Sequence, residues 1–114
     1  MTTVRPDGRP QTSPVWFLVE GGEFLVYSAD TARVRNLATN PQVALNLDGN
    51  GRGGDIVTVE GTARIVEDER AASGNDAYVA KYREAMARNG WSPERFSELY
   101  PIAIRITFDR GRAW

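Results

Sequence analysis

The alternation of apolar and polar positions predicts a chain made mostly of β-strands. The clearest run lies near the end of the chain, where every second residue is large and apolar: Ile102, Ile104, Ile106 and Phe108. A period of two places these side chains on one face of a strand. Residues 43–47 and 56–67 follow the same pattern, and Gly61 lies inside the longer run. A glycine there predicts a sharp bend or a close approach of two backbones.

Turn signals near the beginning of the chain predict three further strands. Asp7-Gly8 separates Thr2–Val4 from residues 11–19, and Gly21-Gly22 separates that segment from residues 24–28. Short glycine-containing connections of this kind favour antiparallel hairpins. Six strands in total are therefore expected.

Two or three short helices complete the predicted set of elements. Apolar residues spaced by three or four positions predict a helix near 31–39 and a longer one over 72–89. Ser92 followed by Pro93 is typical of an N-cap with proline in the first turn, so a third helix begins there. Because no strand–helix–strand rhythm is present, we expect a mainly β (α+β) fold, a six-stranded antiparallel barrel with helical insertions.

Length, composition and charge narrow the classes of function. The 114 residues are enough for one domain, which we take as 1–114. The chain contains neither cysteine nor histidine, so thiolate chemistry and a histidine-based triad are excluded, no metal site is expected, and difficult chemistry would fall to a cofactor. A net charge of −1 argues against nucleic-acid binding. No apolar run is long enough for a membrane span or a signal peptide, so a cytoplasmic location is expected.

The segment 28–37 offers the strongest candidate binding site. Arg33 and Arg35 fall in the first turns of a predicted helix, where the helix dipole disfavours positive charge. A bound anion would reverse that effect, and the Ser28 and Thr31 hydroxyls with the free N–H groups would complete a phosphate cradle. The alternative is a helix capped by Asp30 or Thr31, with both arginines solvated.

A second candidate is the run Pro14-Val15-Trp16. Proline cannot donate to a central strand ladder, so this part of the predicted strand belongs at an edge or a bulge, where backbone groups can meet a planar ligand. Trp16 could stack on such a ligand, or it could simply form the wall of the barrel or a dimer contact.

Two other segments of the sequence each allow a binding interpretation and a purely structural one. The glycine-rich residues 49–54 lie between two strands, so a hairpin is favoured over a phosphate-binding loop. Tyr78, Lys81 and Tyr82 share one helical surface, from which they could reach a ligand of a neighbouring subunit or pack against the core.

These segments, in this order, resemble the flavin- and deazaflavin-dependent oxidoreductases of the split β-barrel class, which are related to pyridoxamine 5'-phosphate oxidase. The resemblance covers nearly the whole chain. It is carried by residues 7–11, Ser13-Pro14-Val15-Trp16-Phe17, residues 28–31, residues 33–37 with Asn40-Pro41, and residues 59–63. The chain looks most like the branch that uses the deazaflavin coenzyme F420, although it lacks a segment that relatives carry before the first hairpin.

The resemblance implies an FMN-binding type of fold and a homodimer with the cofactor between its subunits. It implies that Ser28, Thr31, Arg33 and Asn36 hold the cofactor phosphate, with Arg35 nearby. It also implies that Pro14, Val15 and Trp16 lie against the ring system, and that Lys81, Tyr82 or Trp114 of the second subunit completes the pocket.

The implied activity is hydride transfer between coenzyme F420 and a small organic substrate. FMN is the alternative cofactor, and a non-catalytic carrier of flavin or haem is the alternative class of function. No catalytic residue is identified by the sequence. If the enzyme supplies a proton, Tyr27, Tyr78, Tyr82 or water must donate it, because histidine is absent.

Overall fold

The computed structural model describes residues 1–48 and 56–113, which form a seven-stranded sheet with three α-helices. The elements in chain order are β1 (Thr2–Val4), β2 (Pro10–Thr12), β3 (Leu18–Glu20), β4 (Glu23–Ser28), α1 (Ala32–Thr39), β5 (Gln42–Asp48), β6 (Ile56–Val66), a 3₁₀ turn (Ala72–Gly74), α2 (Asp76–Arg88), α3 (Pro93–Leu99) and β7 (Ile102–Ala113). The predicted glycine-rich hairpin and Trp114 lie outside the described residues.

All neighbouring strands of the sheet are antiparallel, in the order β2-β1-β5-β6-β7-β4-β3. The predicted class, a mainly β antiparallel fold with short helices, is confirmed. The number of strands is seven rather than six, because the predicted strand over 11–19 is divided into β2 and β3. These two strands occupy opposite edges of the sheet.

The link between the two edges requires a strongly curved sheet. Only residues 13–17, which we call the crossing segment, connect β2 to β3. A chain spans at most about 3.6 Å per residue, so the two edges lie within roughly 20 Å of each other. The sheet therefore curls toward a barrel without backbone pairing between its edges.

Alternation along β4 divides the interior into two cores. Phe24 and Val26 point into the curl of the sheet, where they pack with Ile104, Ile106 and other apolar residues. Leu25 and Tyr27 point to the opposite face, which α2 and α3 cover through Tyr78, Met86 and Phe96. Within residues 1–48 and 56–113, no helix is long and apolar enough to cross a membrane.

The expected close approach at Gly61 is confirmed. A β-bulge separates Glu60 from Gly61 in the pairing of β6 with β7. A Cβ atom at Gly61 would lie 2.3 Å from the Thr107 carbonyl oxygen and 2.6 Å from Cγ2 of Ile106. Glycine is required here because the backbone of β7 leaves no space for a side chain.

An ionic network stabilises the outer face of the sheet beside the helices. Arg105 at its centre is only 14% exposed and donates to Glu69 and, at 2.8 Å, to Glu20. Arg64 makes a bidentate pair with Glu23 at 2.6 and 3.0 Å. The bond from Arg105 holds the pKa of Glu20 below its ordinary value, and the bond from Arg64 does the same for Glu23.

We predict that Gly61→Ala destabilises the fold, because the added methyl group would displace the β7 backbone. The free energy of unfolding should fall by about 2–3 kcal/mol, the upper part of the range for overpacking. Urea denaturation measures the change. Gly74→Ala is the matched control, since the nearest atom to its Cβ, Cβ of Arg70, lies 4.0 Å away. Equal stability of the two variants would contradict the close approach.

We also predict that stability depends on pH through Glu20 and Glu23. Because the folded-state pKa of each carboxyl is lowered, its contribution is complete above the ordinary value of 4.5 and is lost as the pH falls through the folded pKa. The urea concentration at the midpoint of unfolding should therefore decrease at pH values below about 4.5, and this decrease should be smaller in Glu20→Gln than in the wild type. Glu98→Gln, in an exposed pair with Arg95, should keep the wild-type profile. A Glu20→Gln profile identical to that of the wild type would refute the prediction.

Candidate functional site

The crossing segment is the element around which the predicted site residues gather. It belongs to no strand, and in the part of the chain that the structure describes the backbone N–H and C=O groups of Val15 and Trp16 have no hydrogen-bond partner. Pro14 is exposed, whereas Val15 and Trp16 are half-buried. The segment therefore combines open backbone groups with an apolar surface, as the position of Pro14 suggested.

Arg33 holds the first end of the crossing segment. One terminal nitrogen of its guanidinium donates to Ser13 Oγ at 2.6 Å and to the Pro14 carbonyl oxygen at 3.3 Å. The other donates to Ser28 Oγ at 3.1 Å. Ser28 is fully buried at the end of β4, and its hydroxyl donates to the carbonyl oxygen of Ala29. Arg33 thus joins the start of α1, the end of β4 and the crossing segment.

The charge of Arg33 has no anionic partner among the described residues. Its three acceptors are neutral oxygens, and no carboxylate lies within ion-pair distance. Nε is buried without a hydrogen-bond partner. Burial lowers the pKa of Arg33, and the Tyr100 hydroxyl acts in the opposite direction. Because an arginine side chain stays protonated in proteins, this corner carries an uncompensated positive charge.

The beginning of α1 adds to the positive character of this corner. Thr31 is the N-cap residue, but its exposed side chain makes no capping hydrogen bond, and the first turn contains no acidic residue. Arg35 is exposed on the helix surface. The alternative interpretation was a helix capped by Asp30 or Thr31 with both arginines solvated. Among the described residues neither side chain makes a capping hydrogen bond, and of the two arginines only Arg35 is exposed.

Asn36, three residues after Arg33 on α1, is bonded to the first two strands. It is buried, and its side-chain amide donates to Thr3 Oγ1 and to Gln11 Oε1, both at 3.0 Å. These bonds tie α1 to β1 and β2. Asn36 therefore joins elements within the chain, and its role as a phosphate ligand stays a prediction.

Lys81 and Tyr82 hold the second end of the crossing segment. The Tyr82 hydroxyl accepts a hydrogen bond from the Phe17 N–H at 2.7 Å and donates to the Phe17 carbonyl oxygen at 2.9 Å. Lys81 Nζ donates to the same carbonyl oxygen at 2.6 Å and lies 3.6 Å from the centroid of the Phe17 ring. Burial lowers the pKa of Lys81 and raises that of Tyr82. Both residues thus contact their own chain here.

Trp16 packs into the aromatic core beneath the cleft. Its ring is parallel to that of Tyr82, with centroids 4.6 Å apart, and to that of Phe96, with centroids 5.3 Å apart. These contacts fix the orientation of the indole. Trp16 therefore forms a rigid wall, which is the second of the two roles considered for it.

A cleft of about 310 Å³ opens between the crossing segment, Arg33 and α3. Its walls are predominantly aromatic, and none carries a carboxylate: Pro14, Val15, Trp16, Tyr27, Arg33, Asn89, Trp91, Phe96 and Tyr100. A second cleft of about 360 Å³ shares Pro14 and Val15 as a wall and is otherwise mostly apolar. Both volumes lie within the range of about 300–1,000 Å³ that is usual for small-molecule sites.

Several residues of the cleft were missed in the sequence. Tyr27 points to the helical face because it alternates with Val26 along β4, a signal that the pattern of that strand contains. Trp91 and Tyr100 flank α3, next to Gly90 and Pro101. Aromatic residues at helix ends beside glycine or proline often lie at surfaces, but their convergence on Arg33 depends on tertiary packing.

The three tyrosines considered as proton donors lie in distinct surroundings. Tyr27 lines the cleft, and its hydroxyl donates to the Arg70 carbonyl oxygen at 2.8 Å. Tyr78 is fully buried, its hydroxyl has no partner, and Tyr82 is bound to Phe17. Burial raises the pKa of all three. Each is thus a weaker acid than a solvated tyrosine.

Comparison with known proteins agrees with this architecture. The family model described as pyridoxamine 5'-phosphate oxidase matches residues 1–114. No curated protein sequence matches the chain. Among solved structures, a protein named F420 reductase superposes with a TM-score of 0.69 at 24% identity, covering 97% of this chain and 85% of that one.

Two further solved structures carry different names on the same fold. The haem storage protein HutZ from Vibrio cholerae has a TM-score of 0.65 at 21% identity, covering 98% of this chain and 82% of that one. An FAD-binding protein from Mesorhizobium loti has a TM-score of 0.65 at 21% identity, covering 99% and 83%. At such identities the similarity establishes the fold alone.

Proposed function

Because the chain belongs to the pyridoxamine 5'-phosphate oxidase family, we propose that it binds a flavin or deazaflavin cofactor and acts as an oxidoreductase on a small organic substrate. Coenzyme F420 is our first choice of cofactor, and FMN is the alternative. The observation that carries this proposal is the uncompensated charge of Arg33 in an aromatic cleft.

The residues of the cleft fit such a cofactor. An anionic tail would meet Arg33, the Ser13 hydroxyl and the uncapped start of α1, where the helix dipole also favours negative charge, while the buried Ser28 hydroxyl orients Arg33. The open N–H and C=O groups of Val15 and Trp16 suit the amide-like edge of a flavin or deazaflavin ring, which contains both donors and acceptors.

The protein residues would bind and orient the reactants. Arg33 would anchor the anionic tail, and the crossing segment would fix the position of the ring. Trp16, Phe96 and Trp91 would exclude water from the cleft. When bound, a deazaflavin or flavin supplies hydride transfer, so the chain itself needs no nucleophile or metal ion.

The choice between F420 and FMN draws on the names of structural relatives. One structural relative is named F420 reductase and another is named an FAD-binding protein. A third is named a haem storage protein, which keeps a non-catalytic carrier among the outcomes of the test. Fluorescence titration of the purified protein with F420 and with FMN, side by side, decides between the cofactors. Oxidation of the bound, reduced cofactor by candidate acceptors in a single turnover then separates an enzyme from a carrier.

We also propose that the chain forms a homodimer. Val19, Ile65 and Phe108 are 58%, 42% and 55% exposed, and the strand register places all three on the sheet face that carries Phe24 and Ile104. Exposed apolar residues on one face support a protein–protein contact.

Light scattering should give a molar mass twice that of the chain. Phe108→Asp should shift the protein toward the mass of one chain, because a carboxylate would be costly to bury at the contact. Glu84→Ala on the exposed surface of α2 is the control. A single-chain mass for the wild type would refute the dimer.

We predict that Arg33→Ala weakens FMN or F420 binding by about 1.5–3 kcal/mol, roughly 10- to 150-fold, because a charge-assisted hydrogen bond is lost. Riboflavin, which lacks the phosphate, should lose much less affinity than FMN in the variant, because only the hold of Arg33 on Ser13 and Pro14 is removed. Arg35→Ala is the matched control, since Arg35 is exposed on the same helix. Unchanged FMN and F420 affinities in Arg33→Ala would remove Arg33 from the site.

A further inference from the structure

We propose that Tyr82, assisted by Lys81, is a positioning residue that holds the crossing segment as the ring-binding wall of the cleft. This inference rests on the proposed function. It assigns to both residues a role in their own chain, where they contact no cofactor and act through Phe17. The juxtaposition that carries it is one hydroxyl group bonded to both backbone polar groups of one residue.

Ser13 still bonds to Met1 through its N–H and C=O groups, but beyond it the crossing segment depends on side chains, because no described strand pairs with residues 14–17. A backbone group that leaves a sheet loses its ladder partners, and a buried group without a partner is costly. At Phe17 the Tyr82 hydroxyl replaces both partners, as donor to the carbonyl oxygen and as acceptor from the N–H. Lys81 adds a second donor to the carbonyl oxygen.

Tyr82 also fixes the orientation of the Trp16 side chain, which immediately precedes Phe17. Its ring stacks on Trp16 with an interplanar angle of 5°. Tyr82 therefore sets both the backbone position and the indole orientation of the cleft wall. With Phe17 held at one end and Pro14 held by Arg33 at the other, the open backbone groups of Val15 and Trp16 have a defined direction.

This arrangement separates two contributions to binding. Arg33 would act on the anionic tail, whereas Tyr82 would act on the ring through the crossing segment. A variant of Tyr82 should therefore weaken every ligand that carries the ring, with or without a phosphate. An Arg33 variant should weaken the phosphorylated ligand much more than riboflavin, which would lose only the hold of Arg33 on Pro14.

The test uses Tyr82→Phe, which keeps the stacked ring and removes the hydroxyl. In the ligand-free protein, amide hydrogen exchange at Phe17 should accelerate about tenfold, because the N–H loses its acceptor. Affinities for FMN and for riboflavin should fall by a similar factor of about ten. Lys81→Met should have a smaller effect, since the Tyr82 hydroxyl still donates to the same carbonyl oxygen.

Tyr78→Phe is the matched control. It removes a tyrosine hydroxyl from the same helix and the same aromatic core, but that hydroxyl has no hydrogen-bond partner among the described residues. Phe17 exchange and riboflavin affinity should stay at their wild-type values. Thermal melts of all variants establish that the fold is retained.

The outcomes are distinguishable. Wild-type protein that binds no flavin and no deazaflavin would overturn the proposed function and the ligand part of this inference. Phe17 exchange that is unchanged in Tyr82→Phe would overturn the holding role by itself. Faster exchange with unchanged riboflavin affinity would show that Tyr82 secures the segment without positioning the ring, and would also overturn the proposal.

Discussion

The structure depends on how residues 13–17 satisfy their backbone groups while they pass from one edge of the sheet to the other. Ser13 still bonds to Met1 through its backbone groups, but no described strand accompanies residues 14–17, which are held by side chains from α1 and α2. Arg33 contributes at one end, and Tyr82 with Lys81 contributes at the other. This constraint explains why polar and charged residues reach into a region that is otherwise aromatic, and it creates the cleft.

Much of the fold could be predicted because local patterns agree with the final architecture. The alternation in residues 102–108 and 43–47 survives as β7 and β5, and the capping signal at Ser92 is used as expected, with its hydroxyl accepting from the Arg95 N–H. The division of residues 11–19 could not be predicted in this way. Pro14 indicated a weak point, but the separation of β2 from β3 follows from contacts with α1 and α2, which are distant in sequence.

The candidate site was predictable to a similar extent. Arg33 with Ser28 and the run Pro14-Val15-Trp16 come together at one cleft. Short-range signals, arginine in the first turns of a helix and proline in a strand, mark both segments in the sequence. The bonds of Asn36 to Thr3 and Gln11 were not predicted, because a helix position alone does not tell which side chains meet β1 and β2. The contacts of Lys81 and Tyr82 with Phe17 join residues more than sixty positions apart, a distance at which periodicity carries no information.

The absence of strand pairing along the crossing segment has a consequence for how this fold diversifies. The register of β2 is set by β1 and that of β3 by β4, so neither depends on the length or composition of the link. Insertions and substitutions between Thr12 and Leu18 can therefore reshape the wall of the cleft while the sheet is conserved. A scaffold of this kind can change what it binds at little cost in stability, provided that side chains form hydrogen bonds with the buried backbone groups of each new connecting segment.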